Sequence, residues 1–342
     1  MTPLPDTIAR AWLPVALSRQ VRDRPLARRI AGTPIVLFRA ARDSGGRVAA
    51  FVDRCPHRNY PLSLGRVRDG SLECPYHGWR FGPGGEVREI PGQADGEVPP
   101  ARVCAETLAV EERHGAVFVR LSPKGPAELV LPPLMGDPGH DHFWYENGAW
   151  SGRAIDAIEN VLDPYHTSFI HHGLIRDRDR RQPVTLTIEV FEEGLDASYV
   201  QAAPDPAWMS RALEPPRTRS AGRYYPPATV QARWYGRDDR LSLCVSAFFT
   251  PEAPDAFRPF ACFTTPKGRG PGWLKEQAIR LFLRPVIRQD REALAHQYGV
   301  IERFGGPRFH QGPLDRVSAL VARLYQGQRL EPGILGPFDV RL

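Results

Sequence analysis

The 342-residue sequence lacks an apolar run of the eighteen or more residues needed to cross a bilayer, and it opens without a basic leader or long apolar core. These absences exclude a helical membrane protein and point to a cytoplasmic one. Cysteine is sparse: five residues, an odd number, do not look like a secreted disulfide framework, and reduced thiols available to a metal fit better. A strong charge excess is missing too. The net charge of +6 is modest, and the basic residues are scattered rather than interleaved with aromatics, which argues against nucleic acid as a partner. The run "IRDRDRRQP" alternates in sign and reads as a solvated loop, with docking of an acidic electron donor as the alternative. No Gly-rich nucleotide or flavin fingerprint is present.

What is present is an ordinary globular composition, 42% hydrophobic and 25% charged, in a chain long enough for two domains. Between residues 34 and about 120, short β-branched segments such as "PIVLFRA", "RVAAFVD", "TLAVEER" and "AVFVRL" alternate with Gly, Asp and Pro turns, predicting a small all-β domain. The proline-rich stretch 122–142 reads as a linker, so the expected domains are 1–125 and 126–342. In the second, "SGRAIDAIENVLDPYH" has Ile155, Ile158 and Leu162 at helical spacing and predicts a helix ending near Pro164. Strand-like segments from 183 to 266 then predict one antiparallel sheet. Residues 272–304 predict a helix broken or kinked at Pro285, and "LDRVSALVARLYQ" predicts another. The expected class is α+β, an all-β N-terminal domain followed by an antiparallel sheet flanked by helices.

Chemistry concentrates first in "CPHRNYPLSLGRVRDGSLECPYHGW", residues 55–79. Structural zinc sites mostly pair like ligands as neighbours, whereas each loop here supplies one cysteine and one histidine. Two thiolates on one iron and two imidazoles on the other form the ligand set of a Rieske [2Fe–2S] centre. "CPHR" and "CPYHGWRF" resemble the two ligand loops of the Rieske family, in the form seen in Rieske oxygenases. The resemblance implies that Cys55 and Cys74 hold one iron and that His57 and His77 hold the other. Tyr60 and Tyr76 stand where respiratory Rieske proteins carry a disulfide, which argues against the high-potential respiratory type.

A second cluster lies in "ENVLDPYHTSFIHH". Asn160, Asp163 and His166 recur every three residues, on one helical stripe beside the apolar face. His171 follows five residues after His166 and can converge with it only where the helix breaks or turns. Two imidazoles and a carboxylate around a metal with open positions form the facial triad of non-haem Fe(II) oxygenases, so an acid is expected as third ligand. Asp290 is the acid on an apolar face, at i+3 from Ile287 and i−4 from Leu294, while Glu276 and Glu292 are not so placed. A salt bridge to an arginine is the plain alternative for Asp290.

The order of Rieske loops, Asn-x2-Asp-x2-His-x4-His and a distant Gln-Asp resembles the catalytic α subunit of Rieske non-haem iron oxygenases. The size is most similar to the homotrimeric subgroup of dicamba and vanillate demethylases. This resemblance implies that His166, His171 and Asp290 bind mononuclear Fe(II), with His172 as the less well spaced competitor. It also implies that Asp163 bridges to a Rieske histidine, His77, of a neighbouring subunit, and that Asn160 lies near the iron. The implied activity is a terminal oxygenase that hydroxylates, or O- or N-demethylates by hydroxylation, a small aromatic or heterocyclic substrate. It would use O2 and electrons passed from NAD(P)H by a separate reductase, with or without a ferredoxin. Arene cis-dihydroxylation uses the same metal sites, and an electron-transfer protein would need only the first. The aromatics of "YYPPATVQARWYG" and "SAFFT" are expected in the sheet core rather than in a substrate pocket, and nothing in the spacing of the nearby arginines selects a carboxylate binder.

Overall fold

The computed structural model describes residues 4–40, 46–94, 102–179, 181–201, 217–236, 238–268 and 270–342. It divides into two compact units, Ile8–Leu129 and Val130–Leu342, the latter joined by Met1–Thr7. The described chain begins with a one-turn helix, α1 (Asp6–Arg10).

The first unit holds ten short strands: β1 (Leu13–Leu17), β2 (Leu26–Ile30), β3 (Thr33–Arg39), β4 (Val48–Val52), β5 (Arg66–Arg68), β6 (Ser71–Glu73), β7 (Arg80–Phe81), β8 (Val87–Glu89), β9 (Ala109–Arg113) and β10 (Ala116–Arg120). They form three small antiparallel sheets in the orders β1-β10-β9, β2-β3-β4 and β5-β6-β7-β8. Phe38, Phe51, Leu62, Leu72 and Phe81 are buried together, and Cys55 and Cys74 belong to the same core. Leu62 therefore pins the loop after β4, while Leu72 and Phe81 pin the hairpin that carries Cys74.

The second unit is built on one nine-stranded antiparallel sheet. Its strands are β11 (His140–Tyr145), β12 (Trp150–Ser151), β13 (Pro183–Phe191), β14 (Gly194–Gln201), β15 (Arg217–Tyr225), β16 (Thr229–Gly236), β17 (Leu241–Ala253), β18 (Ala256–Pro266) and β19 (Gly333–Arg341). The order is β11-β18-β17-β16-β15-β14-β13-β19, with β12 also on β18. Period-2 patterning sets the faces: Val184, Leu186, Ile188 and Val190 alternate inward along β13. The architecture is α+β. The last residues of the expected linker, 140–142, are the first of β11 and pair with β18. Among the described residues no helix is long and apolar enough to cross a membrane.

Among the described residues three helices accompany the sheet: α2 (Ala154–Leu162), α3 (Gly272–Arg303) and α4 (Ser318–Tyr325). Two expectations change here. α3 continues through Pro285 as one helix. The carbonyl that Pro285 cannot serve is that of Leu281, a residue 67% exposed, so water can satisfy it. α2 stops at Leu162, because the proline ring of Pro164 disfavours the helical conformation in the residue before it; Asp163 is extended, at φ −95° and ψ 104°. Asn160, Asp163 and His166 thus do not share one helical stripe. His166 lies in a separate 3-10 turn, Tyr165–Ser168.

Candidate metal centres

The two Cys/His loops of the first unit have matching backbone hydrogen bonds. Cys55 N–H donates to the carbonyl of Tyr60 and Asn59 N–H to that of Cys55; likewise Cys74 N–H donates to Trp79 and Gly78 N–H to Cys74. Asn59 and Gly78, at equivalent places, both have positive φ, 58° and 73°. At Gly78 a side chain would also collide with Pro91, whose Cγ lies 2.7 Å from an added Cβ.

Each loop turns its thiol inward and its imidazole towards the other loop. Cys55 and Cys74 are 2% exposed, and their thiols hydrogen-bond to each other. Burial pushes the Cys55 thiol up to about 11. The rings of His57 and His77 lie 4.7 Å apart, His57 stacks on Trp79, and His57 Nδ1 is buried without a hydrogen-bond partner. Burial, helped by the charges of His77 and Arg58, lowers the His57 pKa, which keeps the imidazole neutral and able to ligate. Two adjacent buried thiols and an orphaned imidazole nitrogen fit a metal cluster, which holds cysteine as thiolate. Tyr60 and Tyr76 pack 5.3 Å apart between the loops, and all five cysteines are free thiols.

In the second unit the end of α2, the 3-10 turn and α3 bring three groups together. His166 Nε2 and His171 Nε2 lie 3.6 and 3.0 Å from Asp290 Oδ1. The chain reverses between the histidines because the His166 carbonyl accepts the N–H groups of both Phe169 and Ile170. Each ring is held from behind: His166 Nδ1–H donates to the Asp163 carbonyl at 2.5 Å, and His171 Nδ1–H to Gln289 Oε1 at 2.9 Å. These bonds direct both Nε2 lone pairs at the shared centre, as supporting hydrogen bonds do for ligating histidines. Asn160 Nδ2 donates to Asp290 Oδ1 at 3.1 Å and orients the carboxylate.

The electrostatics also call for a cation. Burial lowers the His166 pKa, partly offset by Asp290. At His171 burial acts the same way, but the hydrogen bond and charge of Asp290, with the Gln289 bond, outweigh it and raise the pKa. The carboxylate is thus drawing a proton into a place that a metal ion would fill. Asp163 is half-buried, its desolvation raises its pKa, and its Oδ1 accepts the Tyr165 N–H at 2.7 Å. Gly222 of β15 admits the C-terminus of α2, since an added Cβ would lie 2.9 Å from Leu162 Cδ2. His172 is exposed, and its Nδ1 accepts the Arg178 N–H instead.

His166, His171 and Asp290 line a cavity of about 490 Å³ with mostly apolar walls. Trp234 contributes to the wall, contrary to its expected place in the sheet core, while Tyr224, Phe248 and Phe249 are buried as expected, Phe249 also reaching the wall. Strand alternation carried that distinction, but not which face meets the helices. Among the described residues the cations on the wall are Lys275 and Arg176; Arg233 pairs with Asp196 instead. Gln289, beside Asp290 in the sequence, acquires its role only through the fold.

Comparison with known proteins gives a family match in each of the two units. Residues 11–107 match the Rieske [2Fe-2S] domain family, and residues 155–319 match the vanillate O-demethylase oxygenase C-terminal domain family. The chain is 36% identical over 189 residues to a vanillate O-demethylase oxygenase subunit from Pseudomonas sp., covering 52% of this chain and 49% of that protein. It is 31% identical to a probable 3-ketosteroid-9-alpha-monooxygenase oxygenase component from Rhodococcus rhodochrous, covering 74% and 63%. The chain thus spans about half the length of the vanillate relative. In fold it resembles dicamba monooxygenase bound to dicamba (TM-score 0.76, 20% identity, 94% and 97% covered). It also resembles Pseudomonas putida CBB5 NdmA with caffeine (TM-score 0.79, 20% identity, 97% and 98% covered). A Rieske domain followed by an oxygenase C-terminal domain makes this chain a member of the Rieske non-haem iron oxygenases.

Proposed function

We propose that the chain is a terminal oxygenase that hydroxylates a small aromatic or heterocyclic substrate, or demethylates it at oxygen or nitrogen by hydroxylation. The observation that carries this reading is the pair of histidines whose Nδ1 atoms are fixed from behind while their Nε2 atoms and Asp290 Oδ1 meet at the wall of an apolar cavity. The O-demethylase name of one relative supports the demethylation outcome.

Residues 1–125 take up electrons and residues 126–342 carry out oxidation. Cys55, Cys74, His57 and His77 would hold the [2Fe–2S] cluster, and His166, His171 and Asp290 the Fe(II). When bound, these groups supply single electrons and activation of O2, respectively. The remaining work belongs to the protein. The Asp163 carbonyl and Gln289 fix the two imidazoles, Asn160 orients Asp290, and the apolar wall excludes bulk water from the substrate. His77 is exposed, so the ring N–H that cluster ligation leaves free can donate a hydrogen bond to an acceptor outside its own unit. The Asp163 carboxyl of a neighbouring subunit supplies that link in a head-to-tail homotrimer. A separate cytoplasmic reductase, with or without a ferredoxin, delivers electrons from NAD(P)H.

Substrate-dependent O2 uptake by the iron-loaded protein with a reductase, together with labelled oxygen in the product, tests the reaction. About three irons per chain are expected, two in the cluster and one in the triad. Two irons without uptake would reduce the protein to an electron carrier. The trimer has its own test. Mixing Asp290→Ala and Cys74→Ser chains, each inactive alone, restores about a quarter of full activity if the subunits exchange freely in a head-to-tail ring. No recovery after exchange would contradict transfer between subunits.

A further inference from the structure

The cavity wall has a length as well as a chemistry. On α3 the lining residues follow a stripe at three- and four-residue spacing, from Lys275 through Ile279, Phe282 and Val286 to Asp290. Fifteen residues separate Lys275 from Asp290, so a helical rise of 1.5 Å each puts them roughly 22 Å apart along the axis.

The sheet gives a second ruler. Ser220 on β15 lies opposite Trp234, Trp234 opposite Leu243, and Thr265 on β18 opposite Asp141 on β11. From β15 to β11 there are four interstrand steps, roughly 19 Å measured along the sheet. Ser220, Trp234, Leu243 and Thr265 all line the cavity. A lining that runs roughly 22 Å along α3 makes the cavity a slot rather than a bowl. Small residues on the sheet side, Gly222, Ala232, Ala247 and Ala261, make room for it.

The far end is polar but already neutralised. Lys275 Nζ donates to Asp141 Oδ2 and to the Pro266 carbonyl, both at 2.7 Å. An anionic ligand there would compete with Asp141 for Lys275 and meet its carboxylate. Arg176, the other cation of the wall, also has a partner of its own.

We propose that the substrate of this site is an elongated, uncharged and largely apolar molecule, with two or more rings or a ring bearing an alkyl chain. It lies along α3 with its oxidised carbon at the His166–His171–Asp290 end and its tail towards Lys275 and Asp141. The identity of the oxidised end rests on the oxygenase reading; the shape of the slot does not.

The test is a molecular ruler, read as equilibrium dissociation constants on the iron-loaded full chain without O2. The probes are para-n-alkylanisoles from methyl to octyl, and para-methoxybenzoate. Affinity should rise about fourfold per methylene while the chain is being buried, then level off as the tail meets Lys275. The benzoate should bind at least about tenfold more weakly than the methyl compound, from the cost of a buried charge without a free partner. Ala278→Phe puts a ring into the tail end and should lower the octyl-to-methyl affinity ratio about tenfold or more. Asp141→Asn releases Lys275 and should strengthen binding of an alkylanisole ending in a carboxylate. Affinity independent of chain length, tighter binding of the benzoate, or an unchanged ratio in Ala278→Phe would overturn the proposal. If the ruler holds but no probe elicits O2 uptake, the oxygenase reading fails and the slot stands. If single-ring acids elicit uptake and affinity shows no dependence on chain length, the slot fails and the oxygenase reading stands.

Discussion

The two metal centres of this chain use histidine in opposite settings. In the Rieske unit the four candidate ligand residues come from two loops within 25 residues, with the thiols buried and His77 exposed. In the oxygenase unit His171 is 1% exposed, and its carboxylate partner Asp290 arrives from a helix 119 residues later. An outward-facing imidazole suits a site that must pass electrons to another protein surface. Imidazoles fixed by the Asp163 carbonyl and Gln289 suit one that must keep its geometry while substrate enters. An exposed imidazole at one candidate site and two tied ones at the other is the contrast expected if the first exchanges electrons and the second holds a reaction centre.

Breaking the centres one at a time gives the largest effect. Asp290→Ala should lose the mononuclear iron and all substrate-coupled O2 uptake while the Rieske visible and EPR signals persist. Cys74→Ser should do the converse, abolishing those signals while about one iron per chain remains. Metal analysis beside the two spectra checks both variants, and concerted loss of all iron in either one would remove the independence of the sites.

A smaller effect is expected from Gln289→Leu, which takes the acceptor from His171 Nδ1 without removing a ligand. It should weaken Fe(II) affinity or turnover roughly 10- to 100-fold, with partial recovery in Gln289→Glu. Fe(II) titration of the apoprotein measures it, and wild-type affinity in Gln289→Leu would show that the hydrogen bond is incidental.

The smallest effect concerns stability. The Glu159 carboxyl, one turn before Asp163, is raised to about 7 by burial and by Asp156, against the pull of Arg153. Its folded pKa lies above the unfolded value, so the folded state holds the extra proton and stability falls as pH rises from about 4.5 to 7. Glu159→Gln should therefore be more stable than the parent at pH 8, by roughly 1–3 kcal/mol, and equal to it near pH 4. Denaturant unfolding at the two pH values decides this; a gap that widens towards acid would reverse the assignment.

Much of this organisation can be read from local pattern. β3, β4, β9 and β10 declare themselves by β-branched runs between turn residues, β13 by alternation, and the Cys/His loops by spacing alone, because each is a local hairpin. Asp290 stands out as an acid on an apolar helix face. Other features depend on distant partners. The helical stripe expected through Asp163 dissolves at Pro164, yet this break turns the Asp163 carbonyl onto His166. Pro285 looks like a break in α3, but Leu281 faces solvent and the helix runs on. Trp234 and Phe249 line the cavity because small residues beside them leave it open, and no single-strand pattern contains that information. The short strands β5 to β8 and the C-terminal edge strand β19 carry little periodic signal and take their form from their neighbours.

The central claim is that the two centres act in series through Asp163. Asp163→Asn preserves the size of the side chain and the backbone carbonyl that holds His166, and removes the charge and proton acceptor. The decisive measurement is a single turnover: the Rieske cluster is reduced chemically, substrate is bound, O2 is added, and cluster oxidation and product formation are followed together. Asp163→Asn should retain both metals and both spectra but slow the two events in step, roughly 10- to 100-fold. Cluster oxidation and product formation at the unmodified rates, with both metals present, would contradict the account.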